Sequence, residues 1–396
     1  MKQPENYTGT TNDSFEPLQR TFEENFSEHN ELGASVVVFQ NGERVADLHA
    51  GWLDEEKETP WNKHSVACTM SAVKGPTSIC LHLLMDQGHL RLDQPVADIW
   101  PEFAKKNKSS ITVKDILTHR AGLPSLPSAP AGCAYNWDVI ISAIEDHELI
   151  PEAIGVPAYH AHTFGYIAGE IIRRCSGMKP SDYFREQISE PFEIDYELRW
   201  RDQFFGRTAD LAPPFIPPPR DVHSLAPLFE AMFCGDDWRP KLSYIFVPYL
   251  DTSHEAWRQA ENPAAFGYGS AMGLSKLYAI LAQGGELNGR RLLSENIVSK
   301  LSEEIWHGRE LTTNGHWRYG LGFMQQTPNL MPCGPDGFGH PGNGGAMGFA
   351  NPSLRLSFAY VMNRRHVSTE GMAACGPRAL RLAETAIELA SNQVAH

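Results

Sequence analysis

The sequence predicts a mixed α/β chain of the α+β type, in which both chain ends form one antiparallel sheet flanked by helices and a mostly helical domain is inserted between them. Three observations predict it. Two β-rich runs lie near the N-terminus in "GASVVVFQNGERVADLHAGW", joined at Asn41-Gly42, a strong hairpin signal. After about residue 317 the pattern turns to strands again, in "YGLGFMQQ", "FGHPGNGGAMGFANP" and "LRLSFAYVMN". The long stretch between them is mainly helical in its apolar spacing. The 396 residues exceed what one compact core usually fills, so two lobes are expected within a single unit. We place the sheet-containing lobe at about 1–75 and 315–396 and the mostly helical lobe at about 76–314.

The elements follow in order. Phe15, Leu18, Phe22 and Phe26 recur at helical spacing in residues 14–30. A strongly apolar helix opens near Ser71 and runs to the turn "DQGHL". In "ITVKDILTHRAGLP", Thr112 is a plausible N-cap with Asp115 three residues on, and Gly122 and Pro124 stop the short helix. "TFGYIAGEIIRRCSG" is the clearest amphipathic helix, with Phe164, Ile167, Ala168, Ile171, Ile172 and Cys175 on one stripe and Gly177 at its end. "APPFIPPPR" is an extended proline-rich loop that could wall a cleft near Pro213–Pro219. Residues 267–293 read as a helix followed by the glycine-rich turn "QGGELNGRRLLS", and a last amphipathic helix spans about 376–391.

Composition excludes some function classes. The formal net charge of −14 repels phosphate backbones and anionic membranes, so neither nucleic acid nor a membrane is an expected partner. No window reads as a secretory signal or a membrane span. Seven scattered cysteines form no C-x-x-C pair, which suggests reduced thiols in the cytoplasm.

One local pattern carries chemistry. In "ACTMSAVKGPTSICLHLLMDQG", Ser71 and Lys74 share one face of the first turn of a helix apolar nearly all round. A lysine buried at the positive end of a helix is driven toward its neutral form, and a neutral amine beside a hydroxyl is a general base. The segment alone equally allows a lysine that snorkels to solvent, with Ser71 as an N-cap. A second S-x-x-K, Ser176 to Lys179, falls at a helix end and reads as a solvated terminal charge. Two later features favour an acyl-enzyme. Tyr159, in "GVPAYHAHTFGY", precedes the amphipathic helix, and a tyrosine beside a lysine ammonium can be driven toward phenolate and shuttle a proton. The glycine-dense strand "FGHPGNGGAMGF" suggests a close backbone approach to a ligand.

Together these motifs resemble the serine β-lactamase and penicillin-binding-protein superfamily, and within it the esterase branch called family VIII carboxylesterases. The resemblance runs from "GASVVVFQNGERVADLHAGW" to "SFAYVMNR" through "MSAVKG", "RLDQPVADIWPEF", "ITVKDILTHRAGLP", "YHAHTFGYIAGEIIRRCSG" and "GHPGNGGAMGFANP", in the family's order. It implies the β-lactamase/DD-peptidase-like fold and a serine hydrolase that cleaves small-molecule carboxylic esters without cofactor or metal. It also implies Ser71 as nucleophile, Lys74 as its base and Tyr159 as the group that protonates the leaving oxygen. His340 and Gly342 match the lysine and glycine of the K-T-G element. The oxyanion hole is then the Ser71 amide with one just after Gly342, that of Asn343. Two positions depart from the pattern. Ala161 replaces the asparagine of Y-x-N, and "HPG" replaces K-T-G, which weakens a β-lactamase reading.

Other classes fit less well. An H-x-H at His160 and His162 lacks the aspartate and further histidine of a metallohydrolase site, and H-E-x-x-H is absent. G-x-S-x-G is absent as well, against an α/β-hydrolase. A noncatalytic binding protein would be favoured by loss of Ser71, Lys74 or Tyr159, and all three are present. An acyltransferase on the same fold, or a weak β-lactamase or D-amino-acid peptidase/amidase, shares the chemistry and remains an alternative. Oligomeric state is not legible.

Overall fold

The computed structural model describes residues 3–212, 237–246, 252–366 and 375–394. The proline-rich stretch Pro213–Pro219 and Cys234 lie outside the described residues. In chain order the strands are β1 (Thr8–Thr11), β2 (Gly33–Gln40), β3 (Glu43–Gly51), β4 (Val66–Cys68), β5 (Tyr196–Glu197), β6 (Thr208–Ala209), β7 (Tyr268–Gly269), β8 (Glu286–Leu287), β9 (Arg290–Arg291), β10 (Trp306–Arg309), β11 (His316–Tyr319), β12 (Met324–Gln325), β13 (Phe338–Pro341), β14 (Met347–Asn351) and β15 (Leu356–Met362). Nine of them form one antiparallel sheet in the order β1-β3-β2-β15-β14-β13-β12-β11-β10. The two ends of the chain meet where β2 pairs with β15, with Val36 opposite Tyr360.

Local chemistry explains the hairpin that starts this sheet. Asn41 and Gly42 both take positive φ, 54° and 83°, the geometry a two-residue turn between twisted strands requires. β2 is buried on both faces. Val36 and Val38 pack with Phe15, Leu18 and Phe22 of the N-terminal segment and with Ala379, Leu382 and Ala386 of the helix Gly376–Val394. Val37 points the other way, into a core shared with Leu274, Leu277 and Tyr278 of the helix Ala271–Ala282. Period-two alternation thus feeds two cores from one strand.

The helical segments form where the spacing predicts them. The N-terminal helix is Glu16–Glu28, with Phe26 partly buried. The Thr112 side chain caps the helix Val113–Leu117, and Asp115 returns the bond in a full capping box. The helix Thr163–Ser176 ends at Gly177, whose φ of 75° is the left-handed C-terminal cap. A small second sheet, ordered β5-β7-β4-β6, had no signal in the sequence, because strands of two or three residues carry no periodicity. It matters for the site, since β4 leads directly into Ser71.

The two chain ends are also tied by a buried ion pair. Arg378 donates to Glu31 at 2.7 Å, and Tyr360 donates to the other Glu31 oxygen. Both charged side chains are almost wholly buried. Removing one partner strands the other charge. Arg378→Met should therefore lower unfolding free energy by about 3–5 kcal/mol in urea titrations, and adding Glu31→Leu should recover much of that loss. A loss under about 1 kcal/mol would mean that water reaches Glu31.

Candidate active site

Ser71 sits at a sharp change of direction. β4 ends at Cys68, and Met70 adopts φ of 48°, a left-handed conformation uncommon for a side chain of its size. A 3₁₀ turn over Met70–Val73 then runs into the helix Lys74–Asp86. The helix is buried on nearly all sides, as its composition predicts, and Lys74 is buried with it. The lysine does not snorkel.

Three acceptors surround the Lys74 amine. Nζ lies 3.1 Å from the Ser71 hydroxyl, 2.7 Å from the Ala161 carbonyl and 2.8 Å from the Ala264 carbonyl. Burial drives its pKa well below the ordinary lysine value. A neutral amine has two N–H groups and one lone pair. The two carbonyls can only accept, so they take the two hydrogens and leave the lone pair facing the Ser71 hydroxyl. Ala161 stands where the family pattern has an asparagine, and its backbone carbonyl provides the contact to lysine.

Tyr159 lies beside this pair. Its ring is 4.8 Å from Lys74 Nζ and packs against Trp317 at 4.8 Å, His119 at 5.0 Å and His340 at 6.1 Å between ring centroids. Burial pushes the phenol's pKa upward, and a contact with Ser71 only partly opposes this. The expected drift toward phenolate is therefore corrected. It presumed a lysine ammonium, whereas a buried neutral amine gives no such pull, and Tyr159 rests as a neutral phenol able to donate a proton.

The strand β13 brings His340 and Gly342 to the same place. A Cβ on Gly342 would come within 2.1 Å of the Thr69 carbonyl, so only glycine lets this strand lie against the segment that carries Ser71. The Gly342 amide is spent on the Ala346 carbonyl at 2.6 Å. The Ser71 and Asn343 amides have no hydrogen-bond acceptor among the described residues, and both residues line one cavity of about 120 Å³. His340 Nδ1 lies 2.7 Å from the Pro341 carbonyl and so bears the proton. Burial is the main cause that lowers its pKa to about 3, so it is uncharged at neutral pH. His162 falls to about 3 and His160 to about 4, burial again being the larger cause. Among the described residues lining the cavity there is no Lys, Arg, Asp or Glu.

The H-x-H pattern is not a metal-binding arrangement. His160 Nδ1 donates to the Ala158 carbonyl at 2.6 Å, and Nε2 accepts from the Leu123 amide at 3.1 Å, so neither nitrogen is open to an ion. Ser176 and Lys179 are likewise not a functional pair. The Ser176 hydroxyl bonds the Ile172 carbonyl at 2.7 Å, and Lys179 is exposed.

Sequence reasoning missed several groups. Ala264 contributes only a backbone carbonyl, for which no side-chain signal exists. Trp317, Met324 and Leu330 supply apolar wall. Glu310 accepts the Tyr159 amide at 2.8 Å, and its one signal was an acidic residue just before two threonines in "RELTTNG".

The family model described as Beta-lactamase matches residues 18–375. The chain is 31% identical over 373 residues to the Esterase/beta-lactamase LipL of Mycobacterium tuberculosis, covering 90% of this chain and 82% of LipL. Among solved structures, a penicillin-binding protein homolog from Caulobacter crescentus superposes with a TM-score of 0.84 at 33% identity, covering 97% of this chain and 99% of that one. A family VIII carboxylesterase gives 0.82 at 29% identity, with the same coverage of 97% and 99%.

The burial of Lys74 has a consequence for stability. Its folded pKa lies below its unfolded value, so between the two pH values the unfolded chain binds the extra proton. Wild-type stability should therefore rise with pH in that window. Measured against Lys74→Met, the wild type should gain up to about 1.4 kcal/mol per pH unit between pH 7 and pH 10. A difference that does not change with pH would show that Lys74 is protonated in the folded protein.

Proposed function

The chain belongs to the beta-lactamase family, and from that premise we propose that it is a serine carboxylesterase acting through an acyl-enzyme at Ser71. The observation that carries this reading is the Lys74 amine, with both hydrogens on carbonyls and its lone pair toward Ser71 Oγ. The names of LipL and of the family VIII carboxylesterase support the esterase side of it.

In this mechanism Ser71 Oγ attacks the ester carbonyl carbon as its proton passes to Lys74. The carbonyl oxygen becomes an oxyanion held by the Ser71 and Asn343 amides. When the C–O bond to the alcohol breaks, Tyr159 protonates the departing oxygen and recovers a proton from the Lys74 ammonium. Water then attacks the acyl-enzyme as one of its protons passes to Lys74, and Lys74 returns that proton to Ser71 Oγ as the acyl C–O bond breaks, releasing the carboxylic acid. The acyl group and the alcohol need an apolar cavity and two amides, and both are available. An anionic substrate finds no cation among the described lining residues. This favours neutral esters over β-lactams, whose carboxylate would enter unpaired.

Intact-protein mass spectrometry with a fluorophosphonate should show one adduct. It should persist in Ser176→Ala and vanish in Ser71→Ala. An adduct surviving in Ser71→Ala would remove the nucleophile assignment. The substrate preference has its own test. At pH 7–8, kcat/KM for p-nitrophenyl butyrate should exceed that for nitrocefin by at least ~10²-fold, the scale of a missing charge-assisted contact and a desolvated carboxylate. Equal efficiency on both would make a β-lactamase the better reading.

A further inference from the structure

We propose that Glu310 is a positioning residue for this reaction, fixing the backbone of Tyr159 so that the phenol is aimed at the leaving oxygen. The inference rests on the reading of Tyr159 as the group that protonates that oxygen.

Tyr159 lies outside any helix or strand, so no ladder of hydrogen bonds fixes it. Apart from the Ala161 amide, which donates to the Tyr159 carbonyl at 2.9 Å, its backbone is held from outside. The Tyr159 amide donates to Glu310 Oε2 at 2.8 Å, and its carbonyl accepts from the Thr312 hydroxyl at 3.1 Å. The Leu311 amide bonds the Pro157 carbonyl at 3.0 Å. Residues 310–312 thus run along 157–159 as a splint. On the other side His119 holds the neighbours of Tyr159. Its carbonyl accepts from the Ala158 amide at 2.9 Å, and its Nδ1 from the His160 amide at 3.2 Å.

The Glu310 side chain is spent on this task. It is 2% exposed, and no lysine or arginine pairs with it among the described residues. Four donors take its place: the amides of Tyr159, Thr312 and Thr313 and the Thr313 hydroxyl. An ionised carboxylate offers about four acceptor sites and no donor, which this set of four matches. Thr313 also lines the cavity that holds Ser71 and Tyr159, so the same carboxylate shapes the cavity wall. A buried carboxylate without a cation is an expensive way to close a loop. It makes sense where the loop must hold one side chain to a fraction of an ångström.

A small cleft of about 10 Å³, room for about one water, lies against the ring, bounded by Tyr159, Glu310, His119, Trp317 and Tyr319.

The test compares wild type, Glu310→Ala, Glu310→Gln and Tyr159→Phe on two butyrate esters. p-Nitrophenyl butyrate has a leaving group that departs without a proton, and ethyl butyrate has one that needs it. Glu310→Ala should lower kcat on ethyl butyrate by about 10–10²-fold, the cost of misplacing a catalytic group by about an ångström, with KM little changed. On p-nitrophenyl butyrate the loss should be under about threefold. Glu310→Gln keeps an amide oxygen for the Tyr159 and Thr312 amides and should recover most of the ethyl butyrate activity. Equal losses on the two esters, or none, would overturn the positioning role. Should Glu310→Ala not fold, Thr312→Val cuts the second bond from residues 310–312 to the Tyr159 backbone and should show the same selective loss; unchanged selectivity there overturns the proposal. Tyr159→Phe separates the two levels. If it loses no more on ethyl than on p-nitrophenyl butyrate, the acid assignment falls and the role of Glu310 falls with it. If Tyr159→Phe is selective and Glu310→Ala is not, only the role of Glu310 falls.

Discussion

An amine that water does not reach constrains everything around it. Lys74 Nζ gathers three distant parts of the chain, through Ser71, Ala161 and Ala264. Its surroundings satisfy both protonation states without rearrangement. As an ammonium it donates three hydrogen bonds to the three oxygens. As an amine it donates two and accepts the third from Ser71. A proton can therefore arrive and leave while every heavy atom stays in place, which low-cost proton transfer requires. The helix Lys74–Asp86 supplies the other half of the constraint, because its buried faces hold the lysine stem and leave no route to solvent.

The shell around this amine is aromatic and uncharged. His160, His162 and His340 all have pKa values far below neutrality, chiefly through burial. His119 follows for the same reason, with His160 the next largest influence. Their hydrogen bonds go to backbone and hydroxyl partners, as when His119 Nε2 meets the Tyr319 hydroxyl at 2.9 Å and His162 Nε2 the Ser243 hydroxyl at 3.4 Å. The shell thus supplies shape and low polarity. The negative group nearby, Glu310, is turned away from the chemistry and consumed by amides.

Much of this was legible because it is local. Asn41-Gly42, the Thr112–Asp115 capping box and Gly177 each act within a few residues, so the sequence displays them. Ser71 and Lys74 are one turn apart and visible for the same reason. The identity of position 342 was legible as a glycine in a strand, although the Thr69 carbonyl it accommodates was not. What stayed hidden is nonlocal or made of backbone. The Ala264 carbonyl belongs to a residue 190 positions from Lys74, and Glu310 meets Tyr159 across 151. The sheet of β4 to β7 is too short in each strand to show a pattern. The protonation of Tyr159 was misread because it depends on how deeply its neighbour is buried, a property of the fold and not of spacing.

Charge timing follows from these pieces. In the mechanism proposed above, Lys74 and His340 are both neutral in the resting state, and the described cavity lining holds no ionic side chain. A carboxylate-bearing ligand entering there loses hydration worth several kcal/mol and gains no partner. A neutral ester loses little. In that mechanism the one positive charge of the site appears on Lys74 only when Ser71 gives up its proton, at the moment the oxyanion forms. Substrate binding does not draw on that charge, so its stabilisation is felt in the transition state alone. An interaction present in the transition state and absent from the ground state raises kcat, whereas a permanent cation in the same cavity would have been spent partly on binding. On the proposed mechanism a buried histidine at position 340 thus keeps the ground state neutral, and the depth at which Lys74 is buried reserves its charge for the reaction step.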